Sequence, residues 1–198
     1  FNHGLKVDIL SDENGHDDIK NYDEILVDSF SAALLMPIAG VQFECAKRDW
    51  RIDNCSPIEF LILSSVFGVG YQTLVIHCRA NSLINQDKYL ALMKFIPSKI
   101  FKTYIGVVDD KQYFRVLDDY SDLTVVDIEV DNYLVLPSDF QLEDSYFEKK
   151  LVSSYGGVYK AINPGISTVF SPLKGKSFFV RIQKTNYIGF AEYRHLEN

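Results

Sequence analysis

The feature that most constrains this chain is a change of texture near residue 98. Before it, apolar residues fall at spacings of three and four, the period of helices with one buried face. After it, short runs rich in β-branched and aromatic residues alternate with turn-forming clusters, the pattern of strands. With 198 residues the chain can bury a sizeable core. Helices followed by a run of strands give an α+β fold.

Residues 1–21, FNHGLKVDILSDENGHDDIKN, read as a polar, glycine-containing loop that leads to a helix capped by Asn21 or Asp23. From Asp23 to Met36 the residues Leu26, Val27, Phe30, Ala33 and Leu34 make a one-sided apolar stripe, and Pro37 halts the helix. A short helix is expected from Ile38 to Lys47. The connection RDWRIDNCSP ends in Ser56-Pro57, a helix start with Ser as cap and Pro at the first helical position. That helix runs to about Phe67, turns at Gly68-Val69-Gly70, and continues as a second helix from Tyr71 to Ala80. Two helices joined by a short glycine turn have the helix-turn-helix layout. A further short helix is expected at 87–95, ended by Pro97.

Beyond it, TYIGVV (103–108), LTVVDIEV (123–130), NYLVLP (132–137), GVYKAI (157–162), SFFVRIQ (177–183) and YIGFAEYRH (187–195) read as strands. One helix is expected at 143–154, and the sheet is expected to be mainly antiparallel. The organisation expected is a segment over 1–52, a helix-turn-helix-like segment over 53–97 and a small α+β domain over 98–198.

The net charge is −7 and the pI is near 5.1, with no dense Lys/Arg cluster, which disfavours nucleic acid as a partner. Gln72, Thr73 and Arg79 are the residues that the second helix could offer to a DNA groove. The rest of that helix is Leu74, Val75, Ile76 and Ala80 with a single cation, so a packing role is preferred. Cys45, Cys55 and Cys78 are odd in number and lack a C-x-x-C pair. They read as reduced, buried thiols of a cytoplasmic protein, not as a disulfide framework or a structural zinc site. No single apolar run reaches the length of a membrane span, so no membrane partner is expected. His3 reads as a polar residue at a helix end, His16 as part of a solvated acidic run, and His77 as a core or surface histidine. The many Tyr and Phe residues after position 100 could line a small-molecule pocket or a partner-binding face, or simply fill a sheet core.

Within YDEILVDSFSAALLMP (22–37), Glu24 and Asp28 stand four residues apart and share one helical face. By spacing alone, a solvated acidic edge outweighs a metal site. The wider stretch, however, resembles the segment that follows the H-E-x-x-H helix in the ImmA/IrrE family of zinc metallopeptidases. That family's pattern runs E-x-x-A-N/D-x-F-A-x-x-L-L-M-P. Glu24, Asp28, Phe30, Leu34, Leu35, Met36 and Pro37 match it, while Val27 and Ser31 stand where Ala is usual. Phe67, Val69, Gly70, Leu74, Val75, Cys78, Arg79, Leu83 and Ile84 follow in an order similar to the family's next helices. Phe1-Asn2-His3 looks like the tail of the H-E-x-x-H helix.

The resemblance implies a zincin-like peptidase fold over the first segment, with Glu24 as a zinc ligand and Asp28 holding the free ring N–H of a metal-bound histidine. It implies zinc-dependent hydrolysis of a regulatory protein such as a transcription repressor, in a regulatory or stress-response setting. In some family members a sensor-like domain follows the helices, which implies a small-molecule ligand for the C-terminal part. No H-E-x-x-H occurs in the 198 residues. The two histidine ligands and the general-base Glu are therefore expected upstream of Phe1, and zinc only with them. The alternative is a non-catalytic regulatory or interaction module on the same scaffold, a pseudo-peptidase with a DNA link.

Overall fold

The computed structural model describes residues 22–106 and 113–184, without the side chains of 22–25 and 28. Among the described residues six helices come first: α1 (Tyr22–Leu35), α2 (Ile38–Ala46), α3 (Pro57–Phe67), α4 (Tyr71–Ala80), α5 (Gln86–Met93) and α6 (Pro97–Tyr104). Seven strands follow: β1 (Phe114–Val116), β2 (Val125–Glu129), β3 (Tyr133–Leu136), β4 (Phe147–Ser153), β5 (Gly156–Ala161), β6 (Gly165–Ser171) and β7 (Lys176–Gln183). The chain is thus mixed α+β.

Local chemistry explains the helix boundaries. At the start of α3 the Glu59 carboxylate accepts both the Ser56 backbone N–H (2.6 Å) and the Ser56 hydroxyl (2.7 Å). Glu59 thereby satisfies the Ser56 N–H, a donor that the helix start leaves open. Pro57 occupies the first turn, where its missing N–H costs nothing. Gly68 ends α3 at φ 69°, the left-handed conformation that glycine adopts without strain. The chain then turns through 97° into α4. Asn85 caps α5 by accepting the Lys88 N–H at 2.8 Å.

The strands form two sheets. The first has the order β1-β3-β5-β4 and the second β2-β7-β6. Pairs β3/β5, β4/β5 and β6/β7 are antiparallel, whereas β1/β3 and β2/β7 are parallel. Side chains alternate across a strand, so β3, β4 and β5 of the first sheet each serve two cores. Tyr133 and Val135 of β3 join Phe114, Val116 and Val158 in the core shared with the helices. Leu134 and Leu136 face the other way and pack with Val126, Ile128, Val169, Val180 and Ile182 of the second sheet. The result is three layers: helices, first sheet, second sheet. All four residues of β3 are buried because it lies in the middle layer.

A bulge in β4 follows the same logic. Phe147 pairs with Ala161 and belongs to the sheet–sheet core, while Leu151 pairs with Val158 and packs on the helical core. Residues four apart on a regular strand face the same side. The register shift between Lys149 and Leu151 is what lets the two serve opposite layers.

Two joints fasten helices to sheet. Phe101 of α6 stacks on Phe114 of β1, with ring centroids 3.9 Å apart. The edge strand β1 donates its Val116 N–H to Ser65 Oγ of α3 at 3.0 Å, and that hydroxyl donates to Leu61 O at 2.8 Å. A sheet edge that would otherwise recruit another strand is closed by a helix.

The structure departs from the sequence expectation in four places. Residues 147–153 form β4, not part of a helix over 143–154. Thr103 and Tyr104 end α6 and do not start a strand, and β1 and β6 were not anticipated. The expected loop at 1–21 and strand at 187–195 lie outside the described residues.

Candidate functional site

Glu24 and Asp28 lie one turn apart on α1, with their side chains outside those described. The helix ends as expected, with Met36 1% exposed in the core and Ala32 packed against it. The apolar stripe does not follow. Leu26, Val27, Phe30, Leu34 and Leu35 are 55–69% exposed, and no described residue covers that face. Ser29–Ala46 is apolar enough in composition to enter a membrane, but Pro37 breaks it and α2 buries Val41 and Cys45 in the protein core. Among the described residues no three His, Cys, Asp or Glu side chains converge to hold a metal ion.

The helix-turn-helix-like segment places Gln72 and Thr73 on the surface. Arg79 is partly buried and donates from Nε to Gln86 Oε1 at 2.9 Å. The remaining face of α4 packs inward through Tyr71, Leu74, Val75, His77 and Cys78. His77 is a core histidine held against Asn81. The three cysteines are free and buried. Cys55 Sγ donates to Arg51 O at 3.4 Å, and the interaction of the two neighbouring thiols pulls Cys45 down and pushes Cys55 up. Burial pushes Cys78 up to about 12. His3, His16 and His195 lie outside the described residues.

The helical part meets the strands at Arg48. Its side chain is 1% exposed, and all its donors are used. Nε and Nη2 clasp the Asp118 carboxylate at 2.7 and 2.8 Å. Nη1 donates to Glu44 O (2.8 Å) and Oε2 (2.5 Å), and Nη2 also reaches Ser121 Oγ at 3.4 Å. Trp50 and Tyr120 flank the guanidinium plane at 5.4 and 5.9 Å. Burial alone would raise the Asp118 carboxyl, but the hydrogen bonds and charge of Arg48 hold it below the usual carboxylate range. This cluster is a structural clamp with no open valence for a substrate.

A cleft of about 370 Å³ opens where the α3–α4 turn faces the β1–β2 edge. Leu61, Ser64, Gly68, Val69, Gly70 and Tyr71 form one wall. Phe114, Arg115, Asp127, Ile128, Glu129 and Asn132 form much of the other. Arg115 sits between Phe114 and Val116, both buried on the helix side of β1, so its side chain is directed to the opposite side of the strand. It is partly buried, and it makes no hydrogen bond or ion pair with the described residues. Burial lowers the proton affinity of its guanidinium, with Asp127 opposing. Asp127 itself is clasped by Arg181, through Nε at 2.5 Å and Nη2 at 2.9 Å. Sequence reasoning did not single out Arg115. The one available signal is a lone cation flanked by Phe114 and Val116.

No protein-family model, curated protein or solved structure matches the chain. The functional reading therefore rests on the residues and their arrangement.

Proposed function

We propose that this chain is the C-terminal part of an ImmA/IrrE-like zinc-dependent endopeptidase that cleaves a regulatory protein such as a transcription repressor. In this reading α1 is the helix that brings Glu24 to zinc and Asp28 to the neighbouring histidine, in a zincin-like fold. The observation that supports it is the apolar stripe of α1, which no described residue covers. Five large apolar side chains on one helix, 55–69% exposed, are what a helix leaves open when it packs on another helix. The H-E-x-x-H helix is the natural cover, because it must lie beside the third ligand for three side chains to converge on one ion. The cation-poor surface of α4 favours a protein substrate over DNA.

The cleft against β1 and β2 favours a second, regulatory component, in which the α+β part senses a small molecule. It is compatible with peptidase activity and also with a non-catalytic module.

The test uses protein expressed from the whole reading frame. Incubated with zinc and a repressor-type substrate, it should yield discrete fragments by mass spectrometry. Glu24→Gln, verified as folded by circular dichroism, should yield none. Cleavage by Glu24→Gln at the normal rate would overturn the assignment of α1.

A further inference from the structure

We propose that the cleft between the Gly68–Gly70 turn and the β1–β2 edge binds a small monocarboxylate with an apolar body, held through Arg115. The inference does not depend on the peptidase reading, since none of its residues belongs to α1.

The cleft's volume of about 370 Å³ lies in the range that small-molecule sites occupy. Its apolar surface comes from Leu61, Val69, Phe114 and Ile128, which suits a hydrocarbon or aromatic body. Arg115 supplies the polar anchor. A guanidinium presents planar, forked donors that match a carboxylate two-to-two. Two of the other described arginines use that fork, Arg48 on Asp118 and Arg181 on Asp127. Arg115 lies near Asp127 and is influenced by its charge, yet forms no hydrogen bond to it. A partly desolvated fork with no acceptor among the described residues is costly, and a ligand carboxylate would relieve that cost.

The sign and number of neighbouring charges narrow the class further. Glu129 also lines the cleft beside the Asp127–Arg181 pair, so a phosphate or other dianion would bring more negative charge to it than a single carboxylate does. A single carboxylate meets less repulsion. Glu129 forms no ion pair among the described residues, so a ligand that also carries an ammonium, an amino acid, would find a counter-charge. Simple acids and amino acids share the carboxylate on an apolar body, and the experiment separates them.

The intact 198-residue chain is titrated calorimetrically with phenylacetate, L-phenylalanine and phenethylamine. Phenylacetate should bind saturably and phenethylamine should not. Tighter binding of L-phenylalanine than of phenylacetate would make the ligand an amino acid with Glu129 on its ammonium. Weaker binding would make it a simple acid. Arg115→Met should weaken phenylacetate at least about tenfold, the loss expected when a charged hydrogen-bond donor is removed. Without ligand, its thermal midpoint should not fall, because among the described residues the side chain has no acceptor to lose. Arg115→Lys keeps the charge without the fork and should bind with intermediate affinity. Undiminished phenylacetate binding by Arg115→Met would overturn the proposal. So would equal binding of phenethylamine, or no saturable binding of either carboxylate up to about 10 mM, beyond which association is too weak to be specific.

Discussion

Removing the Asp118 carboxylate should cost the protein a large part of its stability. The clamp joins α2 to the segment after β1, residues 70 apart in sequence, through two charged hydrogen bonds of 2.7 and 2.8 Å. Hydrogen bonds to charged groups contribute about 1.5–3 kcal/mol each, and breaking a buried ion pair costs about 3–5 kcal/mol. The Asp118 side chain is 22% exposed, so water would recover part of the loss for any partner left behind. Arg48 is 1% exposed and would keep only Glu44 and Ser121. We therefore expect Asp118→Ala to lose about 3 kcal/mol in urea unfolding, out of a total of about 5–15 kcal/mol. Asp118→Asn keeps one acceptor and should lose about half as much. The double variant Arg48→Met/Asp118→Leu should recover most of the loss, because two apolar groups can replace a buried pair at little cost. The pH dependence has a definite sign. The folded Asp118 carboxyl lies below its unfolded value, so its stabilisation is complete above about pH 4 and is lost as pH falls through the folded pKa. Asp118→Asn should flatten that acid limb. A loss under about 1 kcal/mol for Asp118→Ala would place the pair among ordinary surface ion pairs and refute the clamp.

Three further outcomes follow from the same physical account. Ser65→Ala removes the acceptor of the Val116 N–H and should cost about 1–3 kcal/mol, with faster hydrogen exchange at Val116. Gly156→Ala should cost at least about 3 kcal/mol, since φ is +120° and a Cβ would lie 1.9 Å from Leu136 O; urea midpoints measure it. Cys78, its thiol pushed up to about 12 by burial, should resist iodoacetamide at neutral pH and react only as the chain unfolds.

Much of the helical layer was legible because its signals are local. Ser56-Pro57, the Gly68-Val69-Gly70 turn and the apolar period of Pro57–Ala80 all act within a few residues. Strands β2, β3, β5 and β7 declared themselves through β-branched and aromatic runs. The failure at β4 has a clear cause. Its sequence FEKKLVS carries helix-favouring Glu and Lys, but those charges sit exposed on an edge strand, where they discourage pairing with another chain. β1 spans only three residues and is specified by its partners β3 and α3, not by its own pattern. The cleft was illegible for a related reason. It exists because β2 pairs in parallel with β7, more than fifty residues away, which carries Asp127 and Glu129 to the side of Arg115. At α1, periodicity identified the helix but not which element covers its stripe.

Zinc stoichiometry tests the central proposal most directly. Protein from the whole reading frame should carry about one zinc ion per chain by inductively coupled plasma mass spectrometry. Glu24→Gln should lose most of it after dialysis against a weak chelator. Asp28→Ala, which removes only the group proposed to hold a histidine, should lower affinity about 10–100-fold without abolishing binding. Full zinc occupancy in Glu24→Gln, or no zinc in the unmodified protein, would contradict the assignment of α1 as a ligand helix.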